Sequence, residues 1–244
     1  MIFLLWFSFF AWLAVFYWET QQALQWWFQQ QQRWLCQEAE RVRNGLLQDT
    51  FVLRRDLEGS PQASEENLEH VQHRWLHQIQ QLEGHLIRLS DDLSPPYLET
   101  SLPLSIRKWV QHIEGTSINQ SVMQQPIALD LPSAWQPEPL THNQIILTSL
   151  DYLLALVTSE TESVPPVMIR LQAHPHCAEL VVQVDYPSVA AAVKGVRSRE
   201  LGYLRRSFRV LASGRSYYRR QQQVVFWHFR WRLSHGKVET QVNI

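Results

Sequence analysis

The chain has 244 residues, 22 of them Lys or Arg and 23 Asp or Glu, for a formal net charge of −1. That length holds one large or two small domains beside an anchor, and the charge balance as a whole points to no acidic or basic partner. Two cysteines, Cys36 and Cys177, stand far apart, which excludes a disulfide framework and fits a reducing compartment.

Residues 1–18 carry no charge and are rich in aromatics; Trp6, Trp12 and Trp18 lie among them, and Trp26 and Trp27 follow. At ~1.5 Å per residue such a helix nearly crosses a ~30 Å hydrocarbon core. The segment lacks the basic start and small-residue cleavage site of a signal peptide. It is therefore read as a transmembrane anchor over 1–20, with Trp18, Trp26 and Trp27 near the interface. Arg33, Arg41 and Arg43 come after it with nothing basic in front. By the positive-inside rule the N-terminus lies outside and the bulk is cytoplasmic, a single-pass arrangement.

A Gln-rich helix continues to about Leu57, with Leu35, Ala39, Val42, Leu46, Leu53 and Leu57 at steps of three, four or seven. Gly59-Ser60-Pro61 breaks it. A second helix opens at Ser64 or Glu65 and carries the stripe Leu68, Val71, Trp75, Ile79, Leu82, Leu86, Leu89, Leu93 before Ser94-Pro95-Pro96 ends it. One such stripe cannot be buried by a lone hairpin. The expectation over 21–115 is a helical hairpin that dimerises into a four-helix bundle.

Over 116–244 the expectation is an α+β sandwich. After a helical patch at 98–113 comes a Pro-punctuated linker with strand character, 127–139. Thr141 is read as the cap of an apolar helix over 143–158. Strands follow at 167–171 and 179–184, an amphipathic helix at 197–212, and strands at 216–222 and 224–233.

This order of parts resembles a sensor histidine kinase. The run Glu40-Arg41-Val42-Arg43-Asn44-Gly45-Leu46-Leu47-Gln48-Asp49-Thr50-Phe51-Val52-Leu53 is similar to the phospho-acceptor helix of one subfamily, E-R-x-R-I-A-R-E-L-H-D-G-L-L-Q-x-L-F-x-L. The run Ile87-Arg88-Leu89-Ser90-Asp91-Asp92-Leu93-Ser94-Pro95-Pro96-Tyr97-Leu98 is similar to its second helix, I-R-x-L-I-x-D-L-R-P-P-x-L. The resemblance implies an ATP-binding C-terminal sandwich, Mg²⁺ and a response-regulator partner. It also locates departures. The His-Asp pair falls on Arg43-Asn44, and a guanidinium offers no lone pair to accept a phosphoryl group. The Glu and the Mg²⁺-holding Asn of the sandwich's first helix fall on Leu150 and Leu154, and a hard cation takes oxygen ligands. The Asp-x-Gly-x-Gly loop falls on Val184-Asp185-Tyr186-Pro187-Ser188, keeping Asp185 as a remnant and losing both glycines. The phosphate-cradling loop shrinks to Leu201-Gly202-Tyr203. The chain thus resembles a pseudokinase.

His70, His73 and His77 lie at three- and four-residue steps on the second helix, with His85 beyond. They read as a solvated stripe or as surrogate phospho-acceptors; no metal is expected. His174-Pro175-His176-Cys177 reads as a hairpin turn. From Lys194 to Arg232 the only acidic residue is Glu200, against a run that includes Arg205, Arg206, Arg209, Arg215, Arg219 and Arg220. That is a face for an anion or partner, and beside a membrane anchor lipid or protein is expected before nucleic acid. Three functions stay open. One is a membrane-anchored homodimeric scaffold or regulator without phosphotransfer, docking a response regulator or an active kinase and needing no cofactor. The second is an active divergent kinase with ATP and Mg²⁺. The third is an assembly factor of a membrane protein complex.

Overall fold

The computed structural model describes residues 2–58, 65–93, 95–116, 127–159 and 165–233. Two compact units emerge: 1–27 with 97–244, and 28–96. Helix α1 (Ile2–Glu58) contributes residues to both.

The larger unit is built on a five-stranded sheet, β1 (Ala128–Asp130), β2 (Val167–His174), β3 (Cys177–Asp185), β4 (Arg215–Gln221) and β5 (Val224–Arg232), in the order β1-β2-β3-β5-β4. Only β1 runs parallel to its neighbour; the other pairs are antiparallel. The β-branched and aromatic residues of these strands alternate, so a single face is apolar. Ile169, Leu180, Val182, Val225, Trp227, Phe229 and Trp231 are buried there. The other face carries Glu179, Gln183, Tyr217, His228 and Arg230, half-buried or exposed.

Helices α3 (Leu102–Thr116), α4 (Leu140–Ser159), α5 (Val189–Val196) and α6 (Arg199–Leu211) contribute Leu102, Ile106, Leu150, Leu153, Ala192, Leu204 and Phe208 to the same core. The expected sandwich is present, with two differences. Helix α4 begins at Leu140, where the His142 N–H donates to the Pro139 carbonyl. Thr141 therefore sits inside the helix instead of capping it, because Pro139 already supplies the entry turn. Helix α5 is the second difference. Ser188 is its N-cap and accepts from the Ala191 N–H at 3.1 Å.

Among the described residues no helix is long and apolar enough to cross a membrane. The fold does not establish the transmembrane anchor expected over 1–20. The uncharged run 2–18 spans about 26 Å at ~1.5 Å per residue, and Glu19 behind it is ion-paired with Arg206 at 2.8 Å. The expected place of two tryptophans changes. Trp26 and Trp27 are core residues of the α/β unit, 9% and 2% exposed.

The smaller unit comprises α1 from Phe28 onward and α2 (Glu65–Leu93), the helical hairpin region. The break expected at Gly59-Ser60-Pro61 lies outside the described residues. Several positions of the apolar stripe are open to solvent: Ile79, Leu86 and Leu93 are 40%, 47% and 51% exposed.

Candidate functional site

Helix α4 turns Ile146, Leu150, Leu153, Leu154 and Val157 towards the sheet. Leu150 is fully buried and Leu154 nearly so. The neighbouring carboxylate, Asp151, takes a hydrogen bond from the Trp109 side chain of α3; burial nonetheless pushes its pKa up. Tyr152 is pushed up too, first by burial and then by the Asp151 charge. A carboxyl group so placed is held by the protein and turned away from the Leu150–Leu154 face, since one helical step rotates a side chain by about 100°.

Strand β3 ends at Asp185, whose carboxylate accepts from the Gln183 side chain at 3.1 Å. Both residues belong to the open face of the sheet, because alternate residues share a face. The structure therefore does not bring Asp185 together with Leu150 and Leu154, which lie under the opposite face. Tyr186 follows, 1% exposed, and its ring fills the space against α5. A Cβ placed on Gly195 would stand 2.4 Å from the Tyr186 hydroxyl oxygen. Where the resemblance calls for glycines, this chain has the buried Tyr186 ring packed against Gly195.

Helix α6 starts behind Ser198, which accepts from the Glu200 N–H at 3.2 Å. Gly202 faces open space and supports no close backbone approach in this structure. Replacing it with alanine is expected to stabilise the protein by up to about 1 kcal/mol, the ordinary gain for an unconstrained helical glycine. Thermal unfolding measures it; a loss of stability would show a required glycine.

The junction between α4 and α6 is closed by α1. Trp26 meets Tyr152 at 5.7 Å and Tyr203 at 6.2 Å between ring centroids, and Trp27 meets Tyr152 at 5.1 Å. Ser207 donates to the Ala23 carbonyl at 2.8 Å, Tyr203 to the Gln22 side chain at 3.4 Å, and Arg206 pairs with Glu19. No sequence pattern assigned this role to residues 19–27. The only hint was their mixture of Gln and Trp, which suits a half-buried helix better than a lipid-facing one.

A second unanticipated cluster sits between α4 and β5. Glu138, 1% exposed at its side chain, accepts from Trp231 Nε1 at 3.0 and 3.2 Å and from His142 Nδ1 at 2.9 Å. His142 Nε2 faces the Ala212 carbonyl at 3.3 Å. Both ring nitrogens face acceptors. The cluster ties the linker, α4, the end of α6 and β5 together.

The basic run divides between surfaces. Arg205 donates to the Ser216 carbonyl at 3.2 Å and lies over the Tyr218 ring. Arg206 is paired with Glu19, and Arg209, Arg215, Arg219 and Arg220 are exposed. Arg219 lies over Tyr217, which stacks on His228 at 4.6 Å. His174 and Cys177 flank the two-residue turn between β2 and β3, as expected. In the smaller unit Arg43 and Asn44 are exposed on α1, His73 and His77 are exposed on α2, and His70 lies in the same helix. Among the described residues no group of three or more His, Cys, Asp or Glu is arranged to hold a metal ion.

No family model matches the chain, and no curated protein does. Solved structures do show likeness. Acinetobacter baumannii histidine kinase AdeS is 14% identical, with a TM-score of 0.41 over 76% of this chain and 95% of that one. A histidine kinase from Burkholderia phymatum is 14% identical, with a TM-score of 0.40 over 80% and 99%. Histidine kinase ThkA, solved in complex with response regulator protein TrrA, is 12% identical, with a TM-score of 0.42 over 84% and 64%. The chain thus resembles histidine kinases at low identity. Likeness of this depth bears on neither activity nor partner.

Proposed function

We propose that this is a histidine-kinase-like protein without phosphotransfer, which acts at a membrane surface as a dimeric scaffold or regulator. One observation carries the reading. The positions that the sequence resemblance gives to Mg²⁺ and nucleotide are occupied by packed apolar and aromatic side chains: Leu150, Leu154 and Tyr186, with Trp26 and Trp27 closing the junction of α4 and α6. Leucine cannot ligate a hard cation, and admitting a nucleotide would require large side chains to leave the core. The partner is a response regulator, an active kinase or a membrane protein complex, met by the exposed arginines. The α/β unit lies on the cytoplasmic side, following the arginines after α1's apolar start.

The competing reading is an active divergent kinase, favoured by the exposure of His73 and His77 on α2. Incubation of the full chain with labelled Mg-ATP decides between them. No label on protein is expected. Acid-labile phosphate that disappears on replacing His70, His73 or His77 singly would overturn the proposal.

Dimerisation is supported by the open stripe on α2. Replacing Leu86 with Asp is expected to weaken self-association by about a hundredfold, since an unpaired carboxylate in an apolar seam costs several kcal/mol. Sedimentation of the detergent-solubilised chain measures it.

A further inference from the structure

We propose that one end of the α/β unit docks onto an anionic lipid bilayer, with residues 3–18 of α1 entering the leaflet and a ring of arginines meeting the headgroups. This rests on the reading of a membrane-held binding module and names the surface that holds it.

The first observation is exposure on every side of the helix. Phe3, Trp6, Phe7, Phe9, Phe10, Trp12, and on through Trp18, the large apolar residues whose side chains are described in this segment are 46% to 90% exposed. At about 100° per residue these positions encircle the helix. A protein groove covers one stripe of a helix; a lipid phase solvates all of them. The abundance of Trp, with Tyr17, suits the headgroup boundary.

The second observation is where the neighbouring charges stand. The contacts run Arg206 to Glu19, then Tyr203 to Gln22 and Trp26, so α6 runs antiparallel to α1. Its C-terminal end, with Arg209 and the 44% exposed Val210, therefore points along α1 towards residues 12–18. Helix α6 ends at Leu211 and β4 begins at Arg215, so Arg215 lies at that same end. Arg215 is in register with Arg230 of β5, and Arg232 follows beside the start of β3. Arg209, Arg215, Arg230 and Arg232 are all exposed. The chain thus presents an apolar shaft beside a basic rim, complementary to an anionic leaflet.

Flotation of the full chain, diluted from detergent, with phosphatidylcholine vesicles with and without phosphatidylserine tests the proposal. Binding is expected to be stronger with phosphatidylserine and to fall with salt. Replacing Arg209, Arg215 and Arg232 together with Gln is expected to reduce binding to the anionic vesicles by about a hundredfold at low salt, about fivefold for each arginine, and to leave binding to neutral vesicles unchanged. Replacing Phe9 and Phe16 with Ser is expected to lower binding to both vesicle types by more than about tenfold. These residues are exposed, and circular dichroism confirms that the variants fold. Equal binding to both vesicle types, or an arginine variant that binds like the parent, overturns the proposal. So does a chain that ignores vesicles and buries the segment in a protein complex. Nucleotide binding is read separately, so failure here leaves the pseudokinase reading standing.

Discussion

Replacing Trp27 with alanine is expected to cost about 3–5 kcal/mol of stability, the range for truncating a buried large aromatic. The residue is 2% exposed and packs edge-on against Tyr152. Its loss leaves a cavity where α1 joins the α/β unit, and the other ties among the described residues are the Trp26 contacts with Tyr152 and Tyr203, one Ser207 hydrogen bond, one Tyr203 hydrogen bond and a partly exposed ion pair. An exposed ion pair of this kind contributes under about 1 kcal/mol. The aromatic contacts therefore carry the attachment. Faster proteolysis within residues 19–33 and a lower urea midpoint are the expected readouts. Unchanged proteolysis would mean that α1 does not depend on Trp27 for its place.

Glu138 carries the second large effect. Its carboxylate takes hydrogen bonds from Trp231 and His142 at 1% side-chain exposure. Replacing it with alanine removes the acceptor from a buried indole N–H and from an imidazole N–H at once. Breaking a buried pair by deleting one member typically costs about 3–5 kcal/mol. Glu138→Gln keeps an acceptor for Trp231 and should cost less, which separates loss of hydrogen bonds from loss of charge. Urea unfolding of the parent and both variants measures this; equal losses would mean that charge, not hydrogen bonding, holds the cluster.

Local period made much of this chain legible. The stripe on α2 and the alternation in β2, β3 and β5 gave the hairpin region and the sandwich, because each pattern lies within one element. Strands β4 and β5 were legible as well, but the turn between them takes in Gln222, read as strand from the sequence, which adopts φ 53°. Helix α5 was missed because it is short and its cap, Ser188, follows Pro187 in a stretch read as a nucleotide loop. The roles of Trp26 and Trp27 were not readable: aromatic character says that a residue wants cover, and a membrane and a neighbouring helix provide it equally. The Glu138 cluster was beyond reach for another reason. Its partners are separated by up to 93 positions, and no local pattern announces such a contact.

The loss of a nucleotide site, as proposed, was legible only in part. Leu150 and Leu154 told that ligands were missing. They did not tell whether a cavity remained. The proposed reading draws that answer from the packing of Tyr186 against Gly195 and of α1 against α4 and α6.

Equilibrium binding of Mg-ATP to the full chain, by calorimetry in detergent, tests the central claim most directly. No heat of binding is expected at millimolar nucleotide, with or without Mg²⁺. Saturable, Mg²⁺-dependent binding that is lost on replacing Gly202 or Asp185 would contradict it and restore a working nucleotide site.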